Sequence, residues 1–243
     1  MRRREPSEAE IRLLESHLKA LDDAEREEFF RTVQRIAARP DPPPPGRHVR
    51  DPRRPPRETA LTYRLRAELR GTTPPVWRLV ETTSHLSLAA VHDVLQAAFG
   101  FTDRHLHMFA VGSSVHDPAA SLFLCPWDSA EGELEGVDER DVRLDELLID
   151  PGEQLQYEYD YGDAWQLTIT LDAVRERPAT DERARLLDGE RAGPPENCGG
   201  VERFEQLVAA GGLDPAFDRG RAERAVAAVS ERLSVPDPEP EWD

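Results

Sequence analysis

Three stretches of the chain alternate between apolar and polar side chains with the two-residue period of a half-buried β-strand. They cover residues 61–69, 155–161 and 165–173. A fourth stretch, 105–111, is apolar on both faces once its histidines are set aside. The pattern therefore predicts four strands, two of them separated only by a short loop.

The loop Gly162-Asp163-Ala164 determines how the last two strands pair. A two-residue loop would set the apolar face of one strand against the polar face of the other. A three-residue loop pairs Tyr161 with Trp165 and Tyr159 with Leu167, so both apolar faces coincide. We predict the three-residue loop.

Apolar residues at spacings of three and four predict helices elsewhere. Residues 7–38 contain two such stripes, each preceded by a capping box, so we expect a helical hairpin there. Ser87 is the expected N-cap of a helix that ends at Gly100. In this helix His92 lies beside the apolar stripe, as a packed core histidine does. Further stripes predict helices near Phe204 and over 222–229.

These elements predict an α+β fold, a mainly antiparallel sheet of four or more strands with helices packed on it, preceded by the N-terminal helical hairpin. We divide the chain into a helical hairpin at 1–38, a Pro/Arg-rich linker at 39–57, an α+β domain at 58–235 and an acidic tail at 236–243. Residues 112–140 contain several prolines and glycines and predict a long surface excursion without regular structure.

Charge is distributed unevenly along the 243 residues, whose formal net charge is -17. Residues 1–57 contain 14 basic and 11 acidic side chains, whereas the rest contains 17 and 37. The acidic domain repels phosphate backbones and anionic lipids, so we expect neither a nucleic-acid partner for it nor a membrane. The basic linker is expected to be solvated. The stripes of the hairpin predict packing on the domain or, in a homodimer, on a second copy.

Several familiar motifs are absent, among them the dinucleotide-binding and phosphate-binding glycine loops, the zinc-protease helix motif and the nucleophile elbow. Cys125 and Cys198 are too few for a disulfide framework. Apolar stretches fall short of the roughly 20 residues of a spanning helix. No apolar segment follows the basic start of the chain, so no signal peptide is indicated and we expect a cytoplasmic protein.

Three short blocks are denser in polar, aromatic and turn residues than a core or a surface requires: His105-Leu106-His107, Tyr159 to Trp165, and Pro194 to Gly200. We expect them to converge on a concave ligand site. The candidate residues are Trp77, Arg78, His105, His107, Asp160, Tyr161, Asp163, Trp165, Glu196, Asn197 and Cys198. Within this set, Arg78 is expected to form a buried ion pair with Asp160 or Asp163.

The chain resembles the plasmid pRiA4b ORF-3-like family over about residues 59–230. The resemblance is carried by Tyr63-x-Leu65, Pro74-Pro75-Val76-Trp77-Arg78, His105 to Phe109, and the two later blocks, in that order. It implies an α+β domain of bacterial, archaeal and mobile-element proteins and brings no established activity. The chain departs from the family pattern at Leu167, Gly193 and Asn197, where members often have His, Cys and Asp.

Two histidines one residue apart on a strand share a face, as a metal site requires, and Asp160, Asp163, Glu196 or Cys198 would complete a tetrahedral set. The loss of three family ligand types argues against this, so no cofactor is expected and His105, His107 and Asp160 remain the metal candidates. Cys198 lacks an evident base and positive field and is not expected to be a nucleophile.

We therefore predict a binding or interaction module associated with mobile elements, whose partner is an unidentified protein or small molecule. The alternative is a metal-assisted or acid/base enzyme of hydrolase type, which would use His105, His107, Asp160 and Asp163. No residue is assigned as catalytic.

Overall fold

The computed structural model of the chain describes residues 51–132, 134–179 and 182–233. The predicted helical hairpin at 7–38, the first part of the linker and the acidic tail at 236–243 lie outside the described residues. None of the described helices is both long enough and apolar enough to cross a membrane.

One eight-stranded sheet forms the centre of the domain. Its strands are β1 Leu61–Leu69, β2 Val76–Thr83, β3 His107–Val111, β4 Ser121–Leu124, β5 Val137–Asp138, β6 Gln154–Tyr159, β7 Trp165–Glu176 and β8 Ala184–Glu190. They are arranged in the order β5-β4-β3-β6-β7-β1-β2-β8. All neighbouring strands are antiparallel except β4 and β5, which are parallel. The α+β class and the mainly antiparallel sheet are therefore confirmed.

Five helices accompany the sheet in the described part of the chain: α1 Leu88–Phe99, α2 Pro126–Glu131, α3 Leu144–Leu147, α4 Gly200–Ala209 and α5 Arg219–Leu233. A 3-10 turn covers Glu139–Asp141. The main core joins the inward residues of β1, β2, β6, β7 and β8 to apolar residues of α1, α4 and α5. The helix stripes predicted near Phe204 and over 222–229 correspond to α4 and α5.

The caps of α1 follow the sequence prediction. Ser87 has extended backbone angles, and its hydroxyl accepts a hydrogen bond from the Ala90 amide at 3.2 Å. Gly100 adopts a left-handed conformation with φ of 82°, where a glycine is unstrained, and its amide donates to the Gln96 carbonyl. The helix buries His92 together with its apolar stripe.

The hairpin between β6 and β7 pairs the apolar faces as predicted, but its register is shifted. Tyr159 lies opposite Trp165 and Tyr157 opposite Leu167, so residues 160–164 form the loop and Tyr161 lies outside the strand. The cause is Asp160, whose φ of 58° ends the extended backbone and whose carbonyl accepts from the Ala164 amide at 2.6 Å. The predicted loop length of three was wrong, although its odd parity was right.

Residues 112–140 contain regular structure, contrary to the prediction of an irregular excursion. The helix α2 and the strands β4 and β5 all lie there, and each is too short to show a clear period of apolar and polar residues. The sequence pattern also missed β2 and β8. In β2, the charged Arg78 and Glu81 occupy buried positions, which hides the alternation.

The end of the linker contacts the domain instead of remaining solvated. Arg54 forms a two-pronged ion pair with Glu153, and its amide donates to the Glu146 carbonyl at 2.9 Å. The Arg57 amide donates to the carboxylate of Asp145, which is completely buried. Residues 51–57 are therefore attached to the domain through an ion pair and through hydrogen bonds from their backbone amides.

Candidate ligand-binding groove

A groove of about 720 Å³ lies between α1, the start of β3 and α2. Its lining includes His92 from α1, His107 from β3 and Glu139 from the 3-10 turn, all of them buried. Leu106 and Trp127 also line it, and they are 36% and 63% exposed. These two are the large apolar side chains that the described part of the chain leaves exposed, and both belong to the groove.

A closed ring of hydrogen bonds fixes the position of His92. The Asp103 amide donates to Gln96 Oε1 at 2.9 Å, and Gln96 Nε2 donates to the Tyr157 hydroxyl oxygen at 3.0 Å. The two nitrogens of His92 then close the ring, Nδ1 to the Tyr157 hydroxyl at 2.8 Å and Nε2 to Asp103 Oδ1 at 3.0 Å.

The ring also fixes the tautomer of His92. The carboxylate of Asp103 can only accept, so His92 Nε2 donates to it, and His92 Nδ1 accepts from the Tyr157 hydroxyl. The proton of the neutral imidazole is therefore on Nε2 and is donated to Asp103. Burial, and after it the neighbouring His107, lower the pKa of His92.

His107 stacks on His92 and pairs with a carboxylate that the sequence did not indicate. The two imidazole centroids are 3.5 Å apart, with planes inclined by 11°. His107 Nε2 lies 2.9 and 3.0 Å from the two oxygens of Glu139. Burial lowers the pKa of His107 to about 4 and raises the pKa of Glu139 to about 7. Near neutral pH the groove floor therefore consists of uncharged histidines beside a carboxyl group that titrates.

His105 belongs to a different cluster. Because β3 begins at His107, His105 lies before the strand, and its Nε2 is 3.6 Å from Asp160 Oδ2 and 3.3 Å from Glu196 Oε2. These three atoms all lie within 4.8 Å of one another. The structure therefore brings together one residue from each of the three sequence blocks here, whereas His107 does not join them.

Each carboxylate of this cluster is held mainly through its other oxygen. Glu196 Oε1 accepts from the Thr102 amide at 2.7 Å, from the Thr102 hydroxyl at 3.0 Å and from the Tyr159 hydroxyl at 3.0 Å, and the same Tyr159 hydroxyl lies 3.3 Å from Glu196 Oε2. Asp160 Oδ1 accepts from the amides of Gly162 and Asp163 at 2.8 and 3.2 Å. The second oxygen of each carboxylate is directed toward His105.

Two atoms of the cluster are buried without a hydrogen-bond partner among the described residues, His105 Nε2 and Asp160 Oδ2. The Asp160 side chain is only 5% exposed, and burial raises its pKa. A buried polar atom without a partner costs about 1–3 kcal/mol, so such a pair calls for an explanation.

The remaining loop residues have structural roles. Both carboxylate oxygens of Asp163 accept from the Gly199 amide, at 3.0 and 3.2 Å, just before α4.

The other candidates in these blocks are Tyr161, Asn197 and Cys198. The Tyr161 hydroxyl donates a short hydrogen bond to Asp128, and it lies 3.0 Å from the His107 carbonyl oxygen. Asn197 is exposed with a φ of 55°. Cys198 is half-buried, and burial raises the pKa of its thiol to about 12, which disfavours the nucleophilic thiolate.

Arg78 does not pair with Asp160 or Asp163, contrary to the prediction. Its guanidinium donates to the carbonyls of Ala98 and Trp77 at 2.7 Å each and to that of Glu190 at 3.1 Å. It also lies 4.0 Å from the ring centre of Phe217. Burial lowers the pKa of Arg78 to about 10.

Two predicted aromatic residues lie away from the groove lining. Trp77 lies under Arg66 at 4.1 Å and donates to Glu190, and Trp165 is fully buried against Phe204. Both therefore contribute to packing in the sheet and the core.

Several residues of the groove and its hydrogen-bond ring were not among the sequence candidates, including His92, Gln96, Asp103, Glu139 and Tyr157. The alternation of 155–161 placed Tyr157 in the core, and helical periodicity placed His92 beside the core. No local signal indicated their polar partners, because the ring and the histidine stack join residues distant in the chain.

Comparisons with known proteins agree with the fold and its sequence blocks. The family model described as plasmid pRiA4b ORF-3-like protein matches residues 61–228. The uncharacterized protein y4hQ of Sinorhizobium fredii (strain NBRC 101917 / NGR234) is 32% identical over 161 residues, which cover 66% of this chain and 77% of the relative.

A solved structure of similar fold is that of MM3350, a protein of unknown function from Methanosarcina mazei Go1. It matches with a TM-score of 0.57 at 23% sequence identity, covering 66% of this chain and 97% of the other. The similarity supports the architecture of the sheet and its helices.

Proposed function

The chain belongs to the plasmid pRiA4b ORF-3-like family, and we propose that it is a binding module whose groove takes a small organic cation with an apolar part. The observation that carries the proposal is the composition of the groove. Asp93, Asp103 and Glu139 line it, and the described lining residues include neither lysine nor arginine. A cleft lined by one sign of charge attracts ligands of the opposite sign.

The apolar part of the ligand would contact the exposed rim. Trp127 and Leu106 line the same groove as the carboxylates, and an indole face is the best side-chain partner of an ammonium or guanidinium group. Exposed apolar side chains gathered at a concave site are typical of ligand pockets. An ammonium group on a short apolar chain satisfies both requirements.

An acid/base enzyme has less support from the geometry. Its predicted residues do not form one set: His107 pairs with Glu139, Asp163 holds the Gly199 amide, and only His105 and Asp160 meet. The proposed association with mobile elements, a protein partner and a homodimer remain predictions.

The proposal is tested with phenethylammonium as the ligand and NMR chemical shifts of the Trp127 indole and the Ala130 amide as the readout. We expect saturable shifts at both positions. The neutral analogue 2-phenylethanol should bind several-fold more weakly, and the anion phenylacetate should produce no saturable shift.

Two variants locate the binding. Asp103→Asn keeps an oxygen for His92 but removes the charge, and Trp127→Ala removes the exposed ring; each should weaken phenethylammonium several-fold. A matched control is Asp188→Asn on β8, outside the groove. Equal binding of the three ligands, or equal affinity in all variants, would contradict the proposal.

A further inference from the structure

We propose that His105, Asp160 and Glu196 form a binding site for a divalent metal ion of the zinc type. The site adjoins the groove through His105, one of the groove's lining residues. The proposal does not depend on the organic cation, because Asp160 and Glu196 are not among the residues that line the groove.

The distances from His105 to the two carboxylates fit a tetrahedral ion. Nitrogen and oxygen ligands lie about 2.0–2.2 Å from zinc, so two ligands on a tetrahedron are about 3.4 Å apart. His105 Nε2 is 3.3 Å from Glu196 Oε2 and 3.6 Å from Asp160 Oδ2. These distances are long for direct hydrogen bonds and suit atoms that share an ion.

The carboxylates are also oriented in the way that metal ligands are. Outer hydrogen bonds normally hold the ligand groups of a metal site in place. Here Thr102 and Tyr159 bind Glu196 Oε1, with the Tyr159 hydroxyl 3.3 Å from Oε2 as well, and the loop amides bind one oxygen of Asp160. Glu196 Oε2 and Asp160 Oδ2 face His105.

The unpartnered atoms provide an independent observation. Asp160 Oδ2 and His105 Nε2 are buried and lack a hydrogen bond among the described residues. The Asp160 side chain is only 5% exposed. An ion would satisfy both atoms at once. Imidazole with two carboxylates is a donor set that suits zinc and similar first-row ions, and the groove side leaves room for a further ligand.

A second set of possible ligands, His92, Asp103 and His107, is geometrically close but chemically occupied. The hydrogen-bond ring places the proton of His92 on Nε2, the nitrogen that faces Asp103. A metal ion there would displace this proton and break the hydrogen bonds of the ring. His107 Nε2 is already engaged by Glu139.

The test is a zinc titration of tag-free protein that has been stripped with a chelator and dialysed, read by competition with a chromogenic zinc indicator. We expect one zinc per chain. His105→Ala, Asp160→Asn and Glu196→Gln should each lower the affinity about tenfold or more, since changes to outer-shell partners alone cost 10–100-fold.

The conservative variants separate a metal role from a structural one. Asp160→Asn and Glu196→Gln each keep the oxygen that accepts the shorter structural hydrogen bonds and lose the second, ligating oxygen. The metal-free variants should therefore melt within a few degrees of the wild type, while the rise in melting temperature on adding zinc should disappear.

Asp163→Asn, the same change in the same loop, is the matched control, together with His116→Ala, whose imidazole pairs with Glu158 instead. Both should bind zinc as the wild type does. The inference is overturned if the wild type binds no zinc, if the three site variants bind it normally, or if Asp103→Asn abolishes binding while Asp160→Asn does not. Failure here leaves phenethylammonium binding in the groove as a separate result.

Discussion

His92 and His107 lie with their rings stacked 3.5 Å apart, one on α1 and the other on β3. Two imidazolium charges at this distance would repel each other strongly in a buried site. Burial lowers the pKa of both groups, and each finds a carboxylate partner at the groove, Asp103 or Glu139. The stack therefore gives the groove a neutral aromatic floor beside acidic groups.

The Glu139 carboxyl should make the stability of the protein depend on pH. Burial raises its pKa to about 7 from an ordinary value of 4.5, so the stability it contributes is present below pH 4.5 and is lost as the pH rises through 7. His107 acts in the opposite sense: its pKa is lowered to about 4, so its contribution is present above pH 6.5 and is lost as the pH falls through 4.

The contributions of Glu139 and His107 to stability offset each other between about pH 4.5 and 6.5. Above this range, the further loss of stability is due to Glu139. We expect the unfolding free energy in urea to fall from about pH 6.5 to about pH 8 in the wild type and to stay level in Glu139→Gln. A fall of equal size in the variant would show that another group is responsible.

Removing the Tyr157 hydroxyl should open the hydrogen-bond ring around His92. Tyr157→Phe leaves His92 Nδ1 and Gln96 Nε2 without their shared partner in a buried site, at a cost of about 1–3 kcal/mol. Urea unfolding measures this cost. In the wild type, ¹⁵N NMR should show the proton of His92 on Nε2, and that preference should weaken in the variant.

Tyr161→Phe is the control for this experiment, because its hydroxyl lies outside the ring. It should leave the His92 tautomer unchanged. If NMR found the proton of wild-type His92 on Nδ1, the hydrogen-bond directions assigned to the ring would be wrong.

Arg78 should tolerate even lysine poorly. Its guanidinium makes three bonds to carbonyls, and an ammonium group cannot reproduce this planar arrangement. We expect Arg78→Lys to lower the unfolding free energy by about 3 kcal/mol, since bonds to charged groups are worth about 1.5–3 kcal/mol each. Arg66→Lys, a partly exposed position on the neighbouring strand, should cost less than about 0.5 kcal/mol. Similar costs at the two positions would contradict a structural role for Arg78.

Asp163 should stabilise the start of α4 by accepting a hydrogen bond from the Gly199 amide. Asp163→Ala removes the acceptor of the Gly199 amide and should cost about 1 kcal/mol, as the loss of a helix cap does. Asp163→Asn keeps an acceptor oxygen and should lower the stability by only about a few tenths of a kcal/mol. Thermal unfolding of both variants checks the difference, and a large loss in Asp163→Asn would show that the charge itself is needed.

Local patterns in the sequence predicted the elements whose faces differ clearly in polarity. The strand β1, the capped helix α1 and the pair β6–β7 have one apolar side and one polar side, so periodicity alone identifies them. It failed where charge is buried, as with Arg78 and Glu81 in β2, and where strands are too short to show a period, as with β4 and β5.

Some residues of the candidate site could also be predicted from local sequence, and others could not. His105, Asp160 and Glu196 were indicated because each belongs to a block of unusual composition. Glu139 was missed because it lies in a segment whose prolines and glycines suggested an irregular surface. Its burial against His107 depends on how the 3-10 turn packs over the sheet, which no local pattern encodes.

The most direct test of a ligand site assembled from three distant blocks is an anomalous difference map at the zinc edge from crystals soaked in zinc. We predict one strong peak about 2.1 Å from His105 Nε2, Asp160 Oδ2 and Glu196 Oε2. A map without a peak at these atoms, or with its main peak between His92 and His107, would contradict the account.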